Sequence, residues 1–318
     1  MLRKFIIRGS FFIVPLLLFW IYVEIGLSFV PTSYAKIQRN FYLYRNNIEV
    51  LIVGKSDSQL GVAPKYFQKY KGYNLSNVSQ WVYTSTELVL RNLDELNNLK
   101  LVILSVDPLS FYETTIDNPE RWREKFYYHF WGMKPEYGEP SYTWNFKSSL
   151  YNFKIILSYA FQGFYNIPAP YVDAIDSTGW ERGYFENSHE LLNDKTGEMI
   201  AQIHIGDSNQ FFKYIVNKKT NVGYISKLNK ALKNKSINLI IIQLPKSKYF
   251  MKNVPKQLMV QNDRLLDSMY RFMDIPYYNF TNDPNYTDQD FRDVNHLNYV
   301  GAKKFSETLS KIIGKNLE

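Results

Sequence analysis

A doubly wound α/β domain, with a parallel sheet between layers of helices, is the fold this chain predicts, and three observations predict it. Short, nearly continuous runs of apolar and β-branched residues recur along the sequence, as strands buried on both faces require. Segments with helical spacing lie between those runs, and such alternation implies a parallel sheet. The 318 residues, 45% of them hydrophobic, suffice for one large domain plus a short appendage.

The first strand is expected at Glu49–Val53, ended by Gly54, and a second at Tyr73–Val78. Thr84–Leu96 places Leu88, Leu90, Leu93 and Leu96 on neighbouring helical turns, and Leu99–Val106 reads as a third strand. After a helix near Tyr224–Lys233 come a strand at Ile237–Gln243, a helix over Lys256–Met273, a short strand at Tyr277–Phe280 and a last helix from Tyr299 to about Ile313. Residues 111–215 form an aromatic-rich insertion with helical pieces such as Ser149–Phe161 and a weak strand signal at Ile203 and Ile205.

The N-terminus carries a different pattern. Residues 9–23 hold no charge, and Ile25–Val30 continues apolar after a lone Glu24. That is about the 20 residues a helix needs to cross a bilayer. Arg3, Lys4 and Arg8 precede it, which predicts a cytoplasmic tail at 1–8, a single-pass anchor in the cytoplasmic membrane at 9–30, and an extracytoplasmic remainder. Residues 31–48 read as a stalk or first helix, and 49–318 as the domain. A cleaved signal peptide ending at Ser33-Tyr34-Ala35 is the alternative, but that site lies far from the apolar core.

Several function classes are excluded by composition. There is no cysteine, so thiolate metal sites, disulfides and a cysteine nucleophile are ruled out. The net charge of +8 is scattered rather than gathered on one helix, which argues against nucleic acid as a partner. Neither metal-ligand spacing nor a phosphate-binding glycine loop is visible, so no cofactor is expected.

Two segments carry chemistry. Gly54-Lys55-Ser56 follows the first strand, where open α/β sheets place their active sites, and a serine entering a helix there is a candidate nucleophile. Asp293-Val294-Asn295-His296 precedes the last helix. Serine needs a base, histidine is the usual one, and a carboxylate three residues earlier can fix the imidazole's tautomer. Gly206-Asp207-Ser208 competes for the nucleophile, but it lies mid-chain after only a weak strand signal. Nearby His204 is an accessory substrate contact or an ordinary loop histidine.

The pair of segments resembles the SGNH/GDSL hydrolases, in which a serine block follows the first strand and an Asp-x-x-His block precedes the last helix. The likeness is closer to exported, membrane-anchored SGNH-like proteins of Bacteroidetes-type bacteria, through Gly54, Ser56, Gly61, Val62 and Pro64, then Asn74, Ser79 and Gln80, then Asp293 through Ala302. It covers roughly 49–110 and 220–313. The resemblance implies an SGNH/flavodoxin-like three-layer fold, with Ser56 as nucleophile, His296 as base and Asp293 as orienter. It implies an oxyanion hole drawn from the Ser56 N–H, the Ser76 N–H and the side chain of Asn74 or Asn77. It also implies work beside a membrane-bound O-acyltransferase.

Two positions depart from that pattern. Ser76 stands where glycine is usual, and Asp107 stands where a neutral asparagine donor is usual. A bare carboxylate there would repel an oxyanion, and a lost donor costs about 3 kcal/mol in the transition state. The insertion's Trp122, Trp131, Tyr137, Tyr142 and Trp144 either stack on sugar rings or pack the insertion onto the sheet. The sequence therefore reads as a serine O-acyl esterase or acyltransferase for an envelope polysaccharide. The alternative is a catalytically degenerate scaffold binding a polysaccharide or membrane partner.

Overall fold

A computed structural model describes residues 2–116, 118–182, 192–205 and 215–317. The chain runs α1 (Leu2–Leu27), α2 (Ser33–Tyr44), β1 (Val50–Val53), α3 (Ser56–Gly61), β2 (Gly72–Asn74), α4 (Val82–Asn92) and β3 (Leu101–Ser105). Then follow α5 (Glu124–Trp131), α6 (Phe153–Gln162), α7 (Asp194–Ile205), α8 (Ile215–Lys233), β4 (Asn238–Gln243), α9 (Lys256–Met273), β5 (Tyr277–Asn279) and α10 (Tyr299–Leu317).

The five strands form one parallel sheet in the order β2-β1-β3-β4-β5. Alternate side chains serve opposite layers, the period-2 consequence of a pleated strand. Leu51, Val53, Val102, Leu104, Leu239 and Ile241 pack toward Leu88 of α4, Leu228 of α8 and Leu266 of α9. Val50, Ile52, Leu101, Ile103, Ile240 and Ile242 pack toward Phe305, Leu309 and Ile313 of α10. The central strands β1, β3 and β4 are nearly continuous apolar runs because both faces are covered. The expected doubly wound α/β fold is thus the one found.

The differences from the expected elements have local causes. β2 stops at Asn74 because the chain then turns: Ser79 adopts a left-handed backbone at φ 50° and Gln80 N–H donates to Asn77 O. Ile203 and Ile205 belong to a helix, not a strand. Gly197, Ala201 and Ile205, four residues apart, form its buried stripe. α6 starts later than the apolar pattern suggested, at the point where Asn152 Oδ1 caps the N–H of Ile155. Residues 33–44 are a first helix rather than a free stalk, since Tyr34, Ile37 and Phe41 join the main core.

Among the described residues one helix is long and apolar enough to cross a membrane, over Arg8–Leu27.

Candidate active site

The strand order reverses between β1 and β3, because the chain leaves β1 for β2 on one side and returns to β3 on the other. Loops at the carboxyl ends of such neighbours diverge and leave a crevice. The Ser56 and Asp107 loops flank it. Gly54 is demanded by close approach, since a Cβ there would stand 2.7 Å from Ser105 O on β3. The turn after it is pinned by Ser58 Oγ, which bonds both Lys55 O and Ser76 Oγ at 2.9 Å. Ser56 is thereby fixed as the first residue of α3.

The Asp293–His296 loop arrives from the other end of the chain. Asp293 Oδ1 accepts the backbone N–H groups of Asn295 and His296, each at 2.9 Å. The same carboxylate meets His296 Nδ1 at 2.9 and 3.1 Å. A proton on Nδ1 satisfies that contact and leaves the Nε2 lone pair free. Nε2 lies 2.9 Å from Ser56 Oγ, across 240 residues of sequence. Burial pushes the Asp293 carboxyl upward, but His296, the Asn295 N–H and Arg292 outweigh it and hold the group below the usual carboxylate range. It therefore stays ionised opposite the imidazole.

The rest of the motif is a scaffold for this loop. Asn298 Oδ1 accepts the Gly301 N–H while its Nδ2 donates to Gln289 O at 2.7 Å. Gly301 allows the helix to pass against the backbone, because a Cβ there would fall 2.1 Å from Asp290 O. Leu297 is buried under the sheet.

Two of the expected oxyanion donors are engaged inside the protein. Asn74 Nδ2 donates to Ser58 O and Val62 O at 2.8 and 2.7 Å, so both of its protons tie β2 to α3. The Ser76 N–H is spent on Asn74 Oδ1 at 3.0 Å. Asn77 is buried, with its N–H on Gly54 O and its Oδ1 on the Val78 N–H. The N–H groups of Ser56 and Asp57, by contrast, have no acceptor among the described residues. They are the first two donors of a helix, which always lack an intrahelical partner.

Asp107 does not present a bare charge. Its Oδ1 accepts the N–H groups of Leu109 and Ser110, at 2.9 and 2.8 Å, and the Ser110 hydroxyl. Its Oδ2 faces Lys55 Nζ at 3.4 Å, and Lys55 also pairs with Glu113. Burial opposes ionisation of Asp107, yet Lys55 and Lys246 hold its carboxyl well below the ordinary range. For Glu113 the balance goes the other way: burial and the nearby Asp107 outweigh Lys55 and push its carboxyl upward.

Lys246, absent from the sequence-based site, completes the arrangement. Its side chain is almost wholly buried, and Nζ donates to Asn295 Oδ1 at 2.7 Å and Asn295 O at 3.2 Å, with Asp57 Oδ2 at 3.5 Å. One ammonium thus bridges the neighbour of Ser56 to the neighbour of His296. Ser247 adds a second tie through its hydroxyl to Val294 O at 2.8 Å. A lysine three residues past a strand's carboxyl end was the available signal, since that edge is where sites form.

The crevice beside Ser56 encloses about 320 Å³ and is lined by Trp81, Tyr112, Lys55, Asp107, His204 and Asn295, among others. Burial pushes His204 down to about 4 despite the pull of Asp107, so it stays neutral at physiological pH. The insertion's rings pack on one another and on the helices beside them. Trp131 packs on Phe41 and Tyr42, Trp144 on Tyr128, and Trp122 on Phe126. Trp122, Trp131, Tyr137, Tyr142 and Trp144 do not line the crevice; Trp81 and Tyr112 do. Gly206-Asp207-Ser208 lies outside the described residues.

No protein-family model matches this chain, and no curated protein does. Among solved structures, it is similar to a protein from Bacteroides fragilis described as a "putative acylhydrolase", at 14% identity and a TM-score of 0.40. The likeness covers 91% of this chain and all of that one.

Proposed function

We propose that this chain is a serine O-acyl esterase or acyltransferase of SGNH type, acting on an acylated envelope polysaccharide outside the cytoplasmic membrane. The observation that carries the reading is the continuous path from Ser56 Oγ through the His296 ring to the Asp293 carboxylate, with 2.9 Å at each step. In it, Nε2 takes the Ser56 proton as Oγ attacks the acyl carbonyl. The oxyanion accepts from the open Ser56 and Asp57 N–H groups. The imidazolium, steadied by Asp293, returns its proton to the departing sugar oxygen as the C–O bond breaks. A water or a second sugar hydroxyl then takes the acyl group by the reverse proton path. Asp107 serves this scheme as a turn-former neutralised by Lys55.

A non-catalytic scaffold is the second reading, and the committed donors of Asn74 and Ser76 favour it, because they take two of the expected donors away from the oxyanion. The discriminating experiment is turnover of an aryl acetate and of an acetylated polymer by the full chain and by Ser56→Ala. The enzyme reading expects a loss of about 10⁴-fold or more in a variant that melts like the parent. Equal rates in the two proteins would remove it.

A further inference from the structure

We infer that the domain sits directly on the bilayer, with the segment 146–165 of the insertion as its foot in the interfacial layer. The inference rests on reading α1 as membrane-spanning but is independent of the chemistry at Ser56. Twenty residues from Arg8 to Leu27 rise about 30 Å as a helix, which is about the thickness of the hydrocarbon core. The helical residues before Arg8 include Arg3 and Lys4, so no apolar turn is spare to lift the domain clear.

Its last two turns are also already occupied by protein. Val23 and Leu27 are buried against Ile156 of α6 and Phe164. The Trp20 ring lies 4.9 Å from Phe146, and the Tyr22 ring 5.5 Å from Phe164. Gly26 has no room for a side chain, because a Cβ would overlap the Phe164 ring at 2.1 Å. Glu24, otherwise a costly charge in a span, accepts the N–H groups of Lys147 and Ser148 at 2.8 and 3.1 Å. Segment 146–165 is therefore level with the outer end of the helix.

That segment leaves large apolar rings uncovered. Phe153 is 69% exposed, Phe161 88% and Tyr165 73%, and Phe29, just past α1, lies against Tyr165 with ring centroids 4.2 Å apart. Exposed rings on a segment packed beside the end of a membrane-length helix fit the headgroup boundary, where aromatic residues settle. The partner is a phospholipid interface, by continuity with α1.

The chain has no cysteine, so single-cysteine variants can be labelled without background. Full-length Phe161→Cys, Leu17→Cys and Phe272→Cys, each carrying a bimane probe, are reconstituted in phosphatidylcholine–phosphatidylglycerol vesicles with doxyl-labelled lipid. Leu17 marks the middle of α1, and Phe272, 84% exposed on α9, marks water. The expected result is quenching at Phe161 by shallow doxyl lipid, with about threefold protection from iodide relative to Phe272. Quenching at Leu17 with a Phe161 probe as iodide-accessible as Phe272 overturns the foot while sparing the span. Iodide protection at Phe161 without lipid quenching indicates a second copy of the chain, and overturns it as well. No quenching at Leu17 removes both.

Discussion

The carboxyl edge of the sheet and the aromatic insertion hold their side chains in opposite ways. At the edge, polar groups are over-determined. Asp293 has three donors, and Lys246 reaches two chain segments at once, at Asp57 and Asn295. In the insertion, Trp131, Trp144 and Trp122 are placed by ring-on-ring contact, which specifies shape loosely. The difference teaches that the first region converges its directional bonds on a few reactive groups, as a site that must hold reacting atoms to a fraction of an ångström requires. The second has the properties of a mount.

The largest effect that would break this contrast is at the base. His296→Ala should lower esterase turnover by about 10⁴-fold in a chain that still unfolds cooperatively. Next comes Lys246→Met, which strands the buried Asp57 carboxylate. Breaking such a pair costs about 3 kcal/mol, read by urea denaturation, and Asp57→Asn in the same chain should return part of it. Asn298→Ala removes the cap of α10 together with a buried donor, and should cost about 1–2 kcal/mol in the same assay.

A smaller, pH-dependent effect belongs to Glu181, whose carboxylate accepts from Gln59 Nε2 at 2.8 Å. Burial pushes it up to about 7, against the pull of Arg292 and His296. Above its ordinary 4.5 the unfolded chain has released this proton while the folded chain still holds it. Stability therefore falls as pH rises through that window and is flat beyond about 7. Glu181→Gln should melt higher than the parent at pH 8 and equally at pH 4. A gain of the same size at both would show that no buried charge is involved.

The same contrast explains what could be read in advance. Strands β1, β3 and β4 were legible because burial on two faces forces a continuous apolar run. Ser56, Asp293 and His296 were legible because the residue types and their places at strand and helix ends coincide. The oxyanion donors were not, since whether the Ser76 N–H is already spent depends on where Asn74 points in three dimensions. Lys246 was missed because a lysine after a strand looks like any surface lysine until its partners on two other loops are known. Ile203 and Ile205 misled because an i, i+2 pair of isoleucines reads as strand alternation, whereas in the helix they face opposite ways, Ile205 buried and Ile203 exposed. The small stripe of Gly197 and Ala201 decided for helix.

The most direct measurement is the stoichiometry and position of labelling by a fluorophosphonate on the full-length protein, mapped by peptide mass. The account predicts one label per chain, on Ser56, absent from Ser56→Ala and strongly slowed in His296→Ala. An unlabelled chain whose fold is intact, or a label carried by Ser208, would contradict it.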